Sequence, residues 1–296
     1  MGSGNGSGLC PTFLEGVGVK HRMRSRRLTP SRKVGAPNLK YTRHMINDLS
    51  FRLGATSYVY PGDLVHNAER LVGQVDDVEL ILFDLPDGTS NLPDAATVRR
   101  LAELAAAHDL TYTVHLPLDL RHDSAARHPS LHMAARVIDL TQLLRPCAYV
   151  FHLDGQNVHA PGWLDQASRA VADLCALVDD SQQLALENLE NYAPEHLLPL
   201  YAAFPIRRTL DIGHLWKMGR DPLPLLADWL PAASVVHLHG LAAVDHQSLA
   251  VMSPAQLDPI VRALLDWHGV LTLEVFEDDF FTSHAALLAA IERVQT

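Results

Sequence analysis

TLDIGHLW, residues 209–216, is the stretch on which the fold turns. A short β-prone run ends in a carboxylate, Asp211, and an imidazole, His214, follows three residues later. The construction recurs along the chain: a brief apolar run, an acid or histidine at its end, then a longer stretch of helical period. TVHLPLDL carries His115, VFHLDG His152, LALENLEN Glu187, VVHLHG His237 and His239, and LTLEVFE Glu274. Eight runs are predicted as strands, at 51–57, 78–83, 111–115, 149–152, 184–187, 208–211, 235–239 and 271–275. Helices are predicted between them, at 61–71, 94–108, 129–144, 161–177, 194–203, 222–229, 254–267 and 283–294. Proline stands at or near the start of most of these helices, where its fixed φ suits the first turn. Eight strand–helix repeats in about 245 residues have the size and rhythm of an α/β protein of the (β/α)8 TIM-barrel type. A doubly wound open sheet is the alternative, but its commonest signature, a GxGxxG or phosphate-binding loop after the first strand, is missing.

Composition agrees with one large core: 48% of the 296 residues are hydrophobic and 20% charged. No apolar run approaches the roughly 18–20 residues a membrane helix needs, and MGSGNGSG does not read as a secretory signal, so a cytoplasmic protein is expected. Three separated cysteines, Cys10, Cys147 and Cys175, provide neither a disulfide framework nor a zinc knuckle. The net charge of −10 is unevenly spread. Residues 1–46 carry nine Lys/Arg against one acid, Glu15, leaving 15 Lys/Arg against 33 Asp/Glu in the rest. Residues 1–48, basic and rich in Gly, Ser and Pro, read as a flexible, disordered extension, and 49–296 as the metal-dependent hydrolase barrel. HRMRSRR (21–27) could serve as a nucleic-acid or membrane arm, but such clusters are weak motifs and a solvated tail is the reading adopted. An acidic body is a poor partner for a polyanion, so a small-molecule partner is expected, with no nucleic acid and no membrane. Oligomeric state has no signature in the sequence.

Barrel enzymes take their reactive groups from the C-terminal ends of the strands and the loops that follow. Read in order, those positions supply His115, His152, Glu187, Asp211, His214, His237, His239, Asp245, His246 and Glu274, with Glu79 or Asp84 offered by the second strand. One such histidine is ordinarily a hydrogen-bonded core or rim residue, and one such acid a helix cap. Six successive strands delivering an ionisable group to the same rim is a different matter, because buried imidazoles and carboxylates are costly unless paired or metal-bound. A shared divalent-metal site follows. Imidazole plus carboxylate without thiolate suits Zn, Mn, Fe or Co better than Ca or Mg alone. Glu79 is read as structural rather than catalytic.

HLP after strand three, ENLE at strand five, LDIGH at strand six and the final LE resemble the xylose isomerase-like (AP endonuclease family 2) barrel superfamily. The resemblance to its endonuclease IV-type members implies up to three zinc ions: one on His115, His152 and Glu187, one on Glu187, Asp211, His237 and Glu274, and one on His214 with the Asp245 region. The third set departs from the pattern, since Asp245 and His246 are adjacent here. A narrower resemblance, to the cobamide-remodelling phosphodiesterases (CbiR family), runs from about Phe51 to Val294 and is carried most specifically by TYTVHLPLDLR and by HLHG with DHQSL. It implies hydrolysis of the nucleotide-loop phosphodiester of a cobamide to a cobinamide and an α-ribazole-type phosphate. Glu187, Asp211, His237 and Glu274 are then the core ligands. His115 and His152 hold a second metal or face the phosphate. His214, His239, Asp245 and His246 are candidates for general-acid or supporting work, and Tyr58 and Asn188 for substrate contact. The rivals are a metal-dependent sugar or sugar-acid isomerase or epimerase, an apurinic-site endonuclease, which the acidic body opposes, and a corrinoid carrier with a structural metal.

Overall fold

In a computed structural model, residues 49–296 are described apart from 86, 118 and 123–127. The expectation of a flexible segment at 1–48 lies outside the described residues. Eight parallel strands close on themselves in chain order: β1 (Arg52–Thr56), β2 (Asp77–Ile81), β3 (Thr111–His115), β4 (Tyr149–Phe151), β5 (Leu184–Glu187), β6 (Arg207–Asp211), β7 (Ala233–Leu238) and β8 (Val270–Leu273). Closure is made by β1 on β8, with Arg52 opposite Val270. The TIM barrel is the observed fold, each strand lying within a residue or two of its expected position.

The helices are α1 (Leu64–Leu71), α2 (Ala95–His108), α3 (Pro129–Thr141), α4 (Trp163–Cys175), α5 (Leu198–Ala203), α6 (Ile212–Lys217), α7 (Pro222–Trp229), α8 (Pro254–Leu264) and α9 (Asp278–Gln295). Carboxylates cap several of them. Asp63, Asp94 and Asp221 each accept a backbone N–H from the first turn, and Ser253 with Gln256 forms a capping box. Two helices depart from expectation. α6 has no signal in the sequence, because six residues containing a glycine show no period; it forms because Asp211 accepts the His214 N–H as its cap. α9 begins five residues before the predicted 283. Among the described residues no helix is long and apolar enough to cross a membrane.

Strand parity places the site. Ala148, Val150, Ala185 and Val235 form a small apolar cluster of their own, separate from the main core that holds Val114, Leu186, Leu210, Val236 and Leu273. Alternate strand residues face opposite sides of a sheet. Two residues on from Val150, Ala185 and Val235, the same face carries His152, Glu187 and His237, and the same step from Thr113, Thr209 and Thr272 reaches His115, Asp211 and Glu274. Six ionisable groups therefore converge on the C-terminal mouth of the barrel.

Away from the mouth, α9 buries His284 against Phe280, with ring centroids 5.7 Å apart. Burial alone lowers its pKa from 6.5 to about 4. The depressed value means stability is complete above pH 6.5 and is lost as pH falls toward 4, since the unfolded chain takes up a proton that the folded chain refuses. We expect His284→Leu to lose about 2 kcal/mol less than the wild type between about pH 7 and pH 5 in urea unfolding. Parallel losses in both proteins would show that His284 is not a source of acid lability.

Candidate metal centre

Glu187, at the end of β5, is the hub. It is 1% exposed, and its two oxygens face in different directions. Oε2 lies 2.7 Å from His152 Nε2 and 3.4 Å from His115 Nε2. Oε1 lies 3.0 Å from His237 Nδ1. Two donor groups meet at this carboxylate: His115, His152 and Glu187 in one, Glu187, Asp211, His237 and Glu274 in the other. His214, His239 and His246 form a third group, and within each group the donor atoms all lie within 4.8 Å of one another.

The histidine rings are set for ligation. Ring nitrogens facing away from the donor groups are held by fixed partners, as in metal sites where an outer acceptor sets the tautomer. His115 Nδ1 lies 3.0 Å from the Leu116 carbonyl, His214 Nδ1 3.0 Å from that of Asn188, and His246 Nδ1 3.1 Å from that of Glu274. His152 Nδ1 faces Asp119 at 3.4 Å. His237 Nε2 meets Glu79 at 3.1 Å, which turns Nδ1 toward Glu187 and toward Glu274, 3.3 Å away. His239 is the converse: its Nδ1 accepts the His246 N–H at 3.0 Å, leaving Nε2 for the interior.

Asp211 is fully buried at the end of β6. Its Oδ1 caps α6 through the His214 N–H at 2.5 Å, while Oδ2 has no hydrogen-bond partner. Glu274 Oε2 and His239 Nε2 are likewise buried without one. Orphaned buried polar atoms cost about 1–3 kcal/mol each, and more when charged. Three of them aimed into clusters of imidazole and carboxylate fit divalent-metal ligation.

The electrostatics agree. Burial opposes charge on His237, but Glu79, Glu187 and Glu274 outweigh it and hold its pKa well above the usual value. Burial raises Glu187, yet His237 and His152 more than reverse it and hold the carboxyl well below its usual range. Glu274 is lowered in the same way by His237 and His246, against burial. His214 is pushed up to about 9: burial opposes this, but Asp211, Glu187 and Glu190 prevail. His246 is lowered by burial and by His239, stacked at 4.2 Å.

Several sequence assignments change place. Asp245 stands outside all three groups, because its Oδ2 pairs with Lys217 at 2.5 Å. Lys217 also holds Glu190 at 2.8 Å. The third group is made with His239 instead, and His246 reaches it from a left-handed backbone at φ 51°, a strained conformation for a non-glycine. Asn188, expected to touch substrate, is fully buried and is committed to the backbone of Asp211: Nδ2 donates to its carbonyl and Oδ1 accepts its N–H, both at 3.0 Å. It positions a ligand. Tyr58 stays near the rim, its hydroxyl accepting from Asn91 Nδ2 at 3.2 Å. Glu79 is structural, as read, and acts on the site through His237. Sequence reasoning misses Asp119, Glu190 and Lys217; Asp119 lies inside the motif TVHLPLDLR, four residues after His115. Gly213 is required by close approach, since a Cβ there would lie 2.0 Å from the His239 ring.

Fold and donor set together define a (β/α)8 barrel whose mouth could hold divalent metal ions. The chain belongs to the xylose isomerase-like TIM barrel family, which matches residues 71–295. Among solved structures it is similar to a D-tagatose 3-epimerase-like protein (19% identity, TM-score 0.69, covering 83% of this chain and 98% of that one). It is also similar to endonuclease IV from Thermus thermophilus (18%, 0.62, 82% and 99%) and to D-allulose 3-epimerase from Methylomonas sp. (15%, 0.62, 83% and 97%). At these identities the likeness shows the fold. No curated protein matches the chain.

Metal uptake must displace protons from imidazoles of raised pKa, so apparent affinity rises with pH up to about 9, the value of His214. Calorimetric titrations in buffers of different ionisation enthalpy check this; an affinity flat from about pH 6 to 9 would contradict it. Glu79→Gln, which weakens the partner of His237, should lower metal affinity about 10- to 100-fold in a chelator competition.

Proposed function

We propose that this barrel is a divalent-metal-dependent phosphodiesterase that hydrolyses the nucleotide-loop diester of cobamides. The observation that carries the hydrolytic reading is Glu187, one carboxylate shared between two donor groups, with an all-histidine third group beside them. A sugar epimerase of the same family architecture needs one cation and a pair of bases, for which Glu187, Asp211, His237 and Glu274 would suffice. His115, His152 and the third histidine group would then have no task. The cobamide itself is supported by the motif resemblance, and the acidic body supports a small substrate over DNA.

Glu187, Asp211, His237 and Glu274 would hold one cation, His115 and His152 with Glu187 a second, and His214, His239 and His246 a third. Divalent cations there supply positive charge against the phosphate and a nucleophile at neutral pH. Zn, Mn, Fe and Co all suit this donor set. The chain's own residues do the rest. Glu187 fixes the spacing of two donor groups, and Glu79 and Asp119 keep His237 and His152 oriented. The water oxygen bonds to phosphorus, the bond from phosphorus to the aminopropanol oxygen breaks, and that oxygen takes a proton. Phosphate stays on the ribazole. The histidine-rich third group is the place for the positive charge that stabilises the departing alkoxide.

Purified protein with Zn or Mn should convert a cobamide to a cobinamide and an α-ribazole-type phosphate, resolved by chromatography. Intact cobamide under metal-replete, reducing conditions would sink the reading, and epimerised ketose in a parallel incubation would replace it. Asp211→Ala and Glu274→Ala should each lose bound metal and turnover together, by at least about 100-fold in rate. Full activity in either would remove that residue from the site.

A further inference from the structure

Beside the metal centre, above the ends of β1 and β2, lies a separate cavity of about 330 Å³, walled by Tyr58, Leu64, Phe83, Asn91, Leu92 and Thr97. We propose that it is a subsite for a planar heteroaromatic N-glycoside, the base-and-sugar half of the diester substrate; this rests on the phosphodiesterase reading above.

Size, charge and hydrogen bonding point the same way. Ligand pockets run from roughly 300 to 1,000 Å³, so this cavity takes one ring system with its sugar and no macrocycle. Among the described residues no Lys, Arg or His lines it, so it is not a seat for phosphate. Its one acid, Asp63, is engaged through Oδ1 in capping α1 at His66 N, 2.8 Å away. The wall is mostly apolar, with Tyr58 and Phe83 supplying rings and Asn91 the fixed polar edge. Asn91 is fully engaged: Oδ1 accepts the Phe83 N–H at 2.7 Å, and Nδ2 donates to the Ile81 carbonyl at 2.8 Å and to the Tyr58 hydroxyl at 3.2 Å. The Tyr58 oxygen is thereby an acceptor on its inner side, and its own O–H has no acceptor among the described residues. A ring nitrogen of a bound base supplies one.

The cavity is also connected to the chemistry. The Tyr58 ring meets Phe276 edge-on at 6.3 Å, Phe276 lies 6.1 Å from His246 of the third donor group, and the Glu277 N–H donates to the Tyr58 carbonyl at 3.4 Å. A ligand seated on Tyr58 is two ring contacts from a metal-ligating histidine. That spacing suits a glycoside whose phosphate reaches the mouth of the barrel.

The test uses the metal-loaded full chain and α-ribazole, a benzimidazole riboside, as the probe in saturation-transfer NMR and calorimetry. The wild type should bind it. Thr97→Trp, which fills the cavity from the first turn of α2, should weaken binding at least tenfold, and Tyr58→Phe, which removes only the donor, several-fold, both with unaltered metal content. Equal binding by wild type and Thr97→Trp overturns the subsite, as does no binding to the wild type at millimolar probe. Should Thr97→Trp fail to fold, Tyr58→Phe decides on the same criterion. Cobamide hydrolysis with no α-ribazole binding would retire the subsite alone. Binding lost in Thr97→Trp without any cobamide hydrolysis would retire the phosphodiesterase reading and leave the subsite standing.

Discussion

Everything at the mouth of this barrel depends on one dry carboxylate. Glu187 is held away from water between His152 and His115 on one oxygen and His237 on the other. An uncompensated buried charge costs several kcal/mol. Here the compensation is mutual, with imidazoles raised and carboxylates lowered in pKa by one another. That balance is achieved with protons where a metal would otherwise sit, so cation and proton compete for the same lone pairs.

Around this hub a ring of residues serves only to aim ligands. Glu79 and Asp119 hold imidazoles, Asn188 clamps the backbone of Asp211, and Lys217 draws Asp245 and Glu190 to the outside. Buried polar arrangements of this kind are costly when half satisfied and rigid when complete. The left-handed His246 and the tight approach of Gly213 to His239 belong to the same pattern, local strain kept where three rings must meet. The apolar shell between strands and helices carries the stability that lets the mouth be so polar.

The fold alone does not assign the reaction. Structures of similar shape include proteins described as epimerases and as an endonuclease, and sites, not folds, carry function. What separates the readings is the number of donor groups that share Glu187, together with a neutral, ring-walled cavity beside them.

Much of this was legible in the chain. The repeat of strand and helix, read outward from TLDIGHLW, led to the barrel because each strand advertises itself by a β-prone run and each helix by its period. The ligand-bearing positions were legible for the same reason: a residue ending a strand with the interior parity faces the mouth whatever its neighbours do. Three features were not legible, and each depends on contacts between residues far apart. Asp245 and His246 are adjacent, and only the left-handed turn at His246, with Lys217 waiting 28 residues away, sends one outward and the other in. The part played by Asn188 follows from meeting Asp211 across a strand pair, 23 residues on. Glu79 reaches His237 across the barrel interior, over 158 residues of chain. Local periodicity determined which groups come to the mouth; closure of the barrel decided which of them touch, because distance through space in a closed sheet is set by strand order and register.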